Sequence, residues 1–208
     1  SRAAAKVRRR NEELTALNAV ATTLAGSLDL AGAMQQTLDQ VLTIPLLRLR
    51  QIGAICVLDD QRQELSVVAH RGFDAEWPCA RRKIPVGECV CGLAAQTART
   101  QVVTNSHTDE RHTLRWAGMP CHGEVCVPLK SRDRVVGVLQ ACLPEGHEVP
   151  EADLALLEAL GAEIGLALAE GVPVVGLDTW GLAQNDAPNH SVLIASGPVD
   201  AVEKALQA

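Results

Sequence analysis

The sequence predicts an α+β fold: a central antiparallel sheet of about six strands flanked by helices, followed by a short C-terminal strand–helix appendix. Three observations predict it. Two long segments, near residues 3–26 and 150–170, carry apolar residues at three- to four-residue spacing, the stripe of an amphipathic helix. Between Ile52 and Leu143 the pattern changes to short runs rich in valine, isoleucine and cysteine, as buried strands require. Charged or turn-forming clusters separate those runs closely enough to make hairpins.

The elements follow in order. Residues 3–26 read as one helix, with Leu14, Leu17, Val20, Ala21 and Leu24 on one face and a basic front of Lys6, Arg8, Arg9 and Arg10. Gly26 to Asp29 interrupts it. Asp29 is suited to cap a second helix bearing Leu30, Ala33, Met34, Leu38, Val41 and Leu42, which Pro45 ends. Ile52–Leu58 and Leu65–His70 form a hairpin around a polar turn. A loop through Trp77 and Cys79 leads to a third strand over Arg82–Val86. Gly87-Glu88 then turns into a helix from Cys89 to Arg99, and Gln101–Thr104 is a fourth strand. The loop from Asn105 to Gly123 is long enough to contain a helical turn. Two strands, Glu124–Leu129 and Val135–Leu143, close around the charged tip Ser131–Arg134. Pro150 opens the last helix, and Glu151 and Asp153 suit its electropositive first turn. Such a sheet carries its long helices on one face and a pocket on the other.

The 171–208 tail departs from this pattern. Strands over Val172–Leu177 and Ser191–Ala195 and a helix after Pro198 have too little core to stand alone. The division is thus a linker helix at 1–26, a domain at 13–170 and an appendix at 171–208.

Composition narrows the function. One phenylalanine, three tryptophans and no tyrosine in 208 residues make an aliphatic core with few surfaces for stacking bases or planar pigments. A net charge of −6, with basic residues gathered only at the front, argues against nucleic acid. Seven cysteines cannot all pair within one chain. No apolar run approaches the roughly 20 residues that span a bilayer, and no secretory signal opens the sequence. The expected setting is the reduced cytoplasm, with no membrane segment in this chain.

An ordered set of motifs resembles the GAF sensory domain over about Glu13 to Glu170. It comprises Glu13–Asn18, Ser27–Leu30, Pro85-Val86-Gly87 with Cys91-Gly92-Leu93-Ala94, and Val127-Pro128-Leu129 with Val135–Leu139. The Cys89-Val90-Cys91-Gly92 turn and the run Asp109–His112, Gly118–Pro120 and His122-Gly123 resemble a cysteine-rich subset of sensor modules. That resemblance implies a signal-transduction role, as in two-component systems. It implies a homodimer joined through the first and last helices. It also implies an output domain outside this chain, such as a histidine kinase, a cyclase or a transcription activator.

In a domain of this kind the loops carrying Cys89, Cys91, His112, Cys121 and His122 converge over the pocket. These five are the candidate ligand-binding residues. Thiolate and imidazole together suit zinc or an iron–sulfur cluster, so Cys89, Cys91, Cys121 and His122 form the candidate metal set. The spacings Cys-x-Cys and Cys-x₄-Cys are not those of a zinc knuckle. A cysteine at a helix N-terminus is expected to have a lowered pKa. Cys56, Cys126 and Cys142 lie in strands and read as small core residues.

The expected role is regulatory, not enzymatic. A competing resemblance is to free methionine sulfoxide reductase, a GAF-fold thiol enzyme whose Val-Cys-Gly turn matches Val90-Cys91-Gly92 and would pair Cys91 with Cys121. Its Asp-x-Asp pair is replaced here by Gln140-Ala141-Cys142. Bilin attachment at Cys121-His122 and cyclic-nucleotide binding fit less well in spacing and signature. A structural dimerisation domain with an empty pocket is the remaining alternative.

Overall fold

The computed structural model describes residues 2–27, 29–73 and 83–170. The loop bearing Trp77 and Cys79 and the appendix expected at 171–208 lie outside the described residues.

The chain begins with α1 (Arg2–Gly26) and α2 (Leu30–Leu42). Asp29 caps α2: its carboxylate accepts from the backbone N–H groups of Ala31 and Gly32, each at 3.1 Å. Thr43 ends the helix, and Pro45, which has no N–H to continue it, instead opens a 3₁₀ turn at Pro45–Leu47. Strands β1 (Gly53–Asp59), β2 (Glu64–Arg71) and β3 (Ile84–Pro85) follow. Then come α3 (Cys89–Thr97), β4 (Gln101–Val103), β5 (Gly123–Ser131), β6 (Arg134–Leu143) and α4 (Glu151–Ala169). The six strands form one antiparallel sheet in the order β3-β2-β1-β6-β5-β4.

Of the third strand expected at Arg82–Val86, Arg82 lies outside the described residues, and Ile84 and Pro85 pair with β2, at Leu65↔Ile84 and Glu64↔Pro85. The loop after β4 makes a single helical turn, with the Asp109 N–H donating to the Asn105 carbonyl at 3.1 Å, and does not continue it as a regular helix. There the Asn105 side chain accepts from the N–H groups of His107 and Thr108, and Asp109 accepts from that of Arg111. Such local bonds compete with helix formation.

The sheet separates two cores. On one face Met34, Leu38 and Val41 of α2 and Leu157, Leu160 and Ile164 of α4 pack with Ile55, Val125, Val127 and Leu139. On the other, Val90 and Ala94 of α3 pack with Cys56, Leu65, Ile84, Cys126 and Val138. Period-two alternation along β5 therefore sends Val125, Val127 and Leu129 to the long helices and Cys126 to α3. The first helix is attached more lightly: of its residues only Val20 and Leu24 are buried. Near its front, Arg9 donates to the Asp153 carboxylate at the start of α4, at 2.6 Å. Among the described residues no helix is long and apolar enough to cross a membrane.

Candidate functional site

The turn into α3 shapes the site. Gly87 has φ +90°, a conformation open to glycine, and its N–H donates to the Gly92 carbonyl at 2.8 Å. A Cβ at Gly92 would collide with the Pro85 carbonyl oxygen and lie 3.0 Å from the Gly87 nitrogen. The two glycines thus let α3 start tightly against β3, which fixes Cys89 and Cys91 beneath the sheet. Cys89 itself takes φ +53°, unusual for a residue with a side chain.

The loop before β5 supplies the facing wall. Arg111 holds both carboxylate oxygens of Asp109, at 2.7 and 3.0 Å, and donates to the Val102 carbonyl at 2.8 Å. Arg115 donates to the carbonyls of His112 and Asp109, each at 2.8 Å. Ser106 and His122 are tied twice, by Ser106 N–H donating to the His122 carbonyl (2.8 Å) and His122 N–H donating to the Ser106 side-chain Oγ (3.2 Å). These bonds seat His112 and His122 at 4% and 1% exposure, edge to face, with ring centres 5.4 Å apart.

Between α3, this loop and β5–β6 lies a cavity of about 20 Å³, bounded by Cys89, Cys91, His112, His122, Glu124 and Gln140. Phe73 and Trp116 contribute apolar wall. A volume of this size accepts on the order of one or two water-sized species. His112 and Glu124 face each other, with Nε2 3.7 Å from Oε1. They are not an ion pair. Burial, with His122 alongside, pushes the His112 imidazole down to about 4, so it is neutral at physiological pH. Burial pushes the Glu124 carboxyl up to about 7, against the donation Glu124 Oε2 receives from Gln140 Nε2 at 3.2 Å. His122 Nδ1 sits 2.8 Å from the Pro120 carbonyl, so that nitrogen carries the proton and donates it.

Of the residues singled out from the sequence, Cys89, Cys91, His112 and His122 line the cavity. Cys121 does not; it is half-buried beside it. The metal-ligating atoms that come together are those of His112, His122 and Glu124, all within 4.8 Å of one another. The lowered pKa expected at the start of α3 is corrected at Cys89. Burial there, with the Glu124 carboxyl nearby, outweighs the helix terminus and raises the thiol. Cys91 and Cys126 approach to 3.4 Å between sulfurs, and all six described cysteines are free. Sequence reasoning missed Glu124 and Gln140. The available signal was Gln140, a polar side chain inside the apolar run of β6; Glu124, at the start of β5, offered none.

A family model described as GAF domain matches residues 27–169, more than half of the chain. The chain belongs to the GAF domain family. The matched segment begins just after α1 and contains the whole sheet, the cavity and all of α4. Solved structures agree in fold. The GAF domain of an Acinetobacter phosphoenolpyruvate-protein phosphotransferase superposes with TM-score 0.64 at 21% identity, over 76% of this chain and 92% of that one. Free methionine-R-sulfoxide reductase from Neisseria meningitidis, in complex with its substrate, gives 0.62 at 22%, over 74% and 87%. The reduced form of fRMsr of Staphylococcus aureus gives 0.59 at 24%, over 76% and 95%. No curated protein matches the sequence. At these identities the GAF fold is shared, and the fold alone hosts both regulators and a reductase.

Proposed function

We propose that this GAF domain is a regulatory module that senses a small species, or a redox change, in its cavity and passes the change to its long helices. The observation that carries this reading is the two-sided hairpin β5–β6. Glu124 and Gln140 border the cavity, while Val125, Val127 and Leu139 of the same strands pack into the core beneath α2 and α4. From α4 the Asp153–Arg9 bond continues to α1. A shift of the hairpin therefore has a line of direct contacts to follow, and occupancy would bias two packings of the same helices.

The module acts as a dimer through α1 and regulates an output domain outside this chain. Val7 and Leu14 on α1 are 60% and 50% exposed, and Val7 lines an open groove with Ala19, Ile44 and Leu46. A second copy of the helix suits that groove. Six free cysteines suit the reducing cytoplasm.

The role is regulatory, not catalytic. Cys121 stands outside the cavity lining, and Gln140-Ala141-Cys142 offers no carboxylate pair to hold a substrate ammonium. Thiol redox is the second reading, favoured by the 3.4 Å approach of Cys91 and Cys126. Native mass spectrometry of the anaerobically purified chain, followed by amide exchange with and without the species found, tests the proposal. Slower exchange in β5–β6, α4 and α1 is expected on binding. A species that binds in the cavity and leaves α1 and α4 unchanged would refute the transmission.

A further inference from the structure

The geometry points to a mononuclear site for a divalent transition metal, held by His112, His122 and the Glu124 carboxylate, with open coordination positions bordered by Cys89 and Cys91. The inference rests on the reading of this cavity as the ligand site and names the ligand's class. It replaces the set of Cys89, Cys91, Cys121 and His122 with a different triad.

Four observations support it. First, the three donors lie within 4.8 Å of one another, and no other such group occurs among the described residues. All three residues are at least 96% buried. Second, Glu124 Oε1 has no hydrogen-bond partner, since 3.7 Å to His112 Nε2 is too long for one. Third, His122 donates from Nδ1 to the Pro120 carbonyl at 2.8 Å, which makes Nε2 the lone-pair nitrogen. Metal-binding histidines are oriented in this way, by a bond from the other ring nitrogen to a carbonyl or carboxylate. Fourth, the cavity of about 20 Å³ accommodates an ion with one or two waters.

The fit requires small movements. Donors bound at about 2.0–2.1 Å to one ion lie about 2.9–3.4 Å apart. The His112–Glu124 gap of 3.7 Å closes by about 0.3–0.8 Å, and the widest separations in the group close by side-chain rotation. Two imidazoles and a carboxylate are a donor set for Zn²⁺ or Fe²⁺, whereas an iron–sulfur cluster calls for thiolates.

The test is calorimetric titration of the chelator-stripped full chain with Zn²⁺ and, under argon, with Fe²⁺. One ion per chain is expected for at least one of the two metals. Glu124→Gln and His112→Gln should weaken binding at least a hundredfold, and Cys121→Ala should leave it unchanged. X-ray absorption of the zinc-loaded wild type should report nitrogen and oxygen neighbours with imidazole scattering and no sulfur. Glu124→Gln preserves size, so it and the absorption spectrum decide the matter if His112→Gln fails to fold. Absence of stoichiometric binding with both metals, undiminished affinity in Glu124→Gln, or a sulfur-dominated shell would each overturn the site. Native mass spectrometry that finds an organic species and no metal would sink this site and leave the ligand-pocket reading standing. Metal bound at the triad with no change in α1 or α4 exchange would do the reverse.

Discussion

Replacing Gly165 with alanine measures how closely α4 lies on the sheet that borders the cavity. A Cβ built on Gly165 would overlap the Lys130 backbone nitrogen and oxygen and stand 2.7 Å from its carbonyl carbon. Ordinary carbon contacts need about 3.5 Å, so α4 must lift from β5 by at least about 0.8 Å. The obstacle is main chain in a paired strand and cannot rotate away. Lifting separates Leu157, Leu160 and Ile164 from Val127 and Leu129, and overpacking of this kind costs about 1–3 kcal/mol. Alanine returns up to about 1 kcal/mol of helix propensity. The net expectation is a loss of about 1–2 kcal/mol, or about 2–8 °C in Tm for a chain of this size. Gly161→Ala is the control. Its Cβ meets Val127 Cγ1 at 2.9 Å, a side-chain methyl that can turn aside, so the propensity gain cancels or exceeds the cost. Thermal and urea unfolding of both variants provides the comparison. A Gly165→Ala protein as stable as Gly161→Ala would refute the close helix–sheet contact and, with it, the first step of the proposed transmission.

Three further outcomes follow from the same geometry. Arg9→Ala strands the Asp153 carboxylate, whose side chain is 5% exposed; because Arg9 is itself 34% exposed, the loss should be about 1–2 kcal/mol, read as lower Tm and faster amide exchange in α1. Burial pushes the Glu13 carboxyl up, but hydrogen bonds and charge from Arg10 and Arg9 outweigh it and leave its pKa below the usual value. The folded state is thus favoured above the unfolded carboxyl's pKa and loses that contribution as pH falls through the lowered folded value; urea unfolding from pH 6 to pH 3 should show a shallower decline in Glu13→Gln than in wild type. Burial pushes the Cys142 thiol up to about 12, which reduces its thiolate at pH 8 by roughly 10³-fold relative to a free thiol; mass-mapped alkylation should therefore modify half-buried Cys121 well before Cys142 or Cys126, and equal rates would contradict the packing.

The sequence made the architecture legible because its periods are clean. The change at Ile52 from a helical stripe to short branched runs marks the sheet, and Asp29 and Pro45 bracket α2 as capping chemistry predicts. The site was harder to read. Cys121 entered the candidate set because its loop was expected to converge over the pocket, but neighbours leading into a strand point to opposite sides, and of the two only His122 lines the cavity. Glu124 was hidden at the edge of a strand where a polar residue looks like a solvated terminus. Cys89 illustrates a conflict of effects: the helix terminus favours thiolate, and the apolar surroundings that no local pattern reveals reverse the sign.

The placement of Glu124 and Gln140 bears on the sensing role proposed for this hairpin. Nearly every residue of β5 and β6 is buried, because helices cover one face and α3 with its loop covers the other. A polar side chain in such strands cannot turn to water. Gln140 and Glu124 satisfy each other once, and Glu124 Oε1 and Gln140 Oε1 are left without hydrogen-bond partners. Each orphaned atom costs about 1–3 kcal/mol, which a valine at either position would avoid. Two such costs on paired strands, Glu124 lying across from Cys142 and next to Gln140 through their side chains, converge on one small cavity. Stability alone disfavours that arrangement. A charged or strongly polar occupant removes the penalty when bound and restores it when lost, and that difference is the free energy a regulator of this design can pass to its helices.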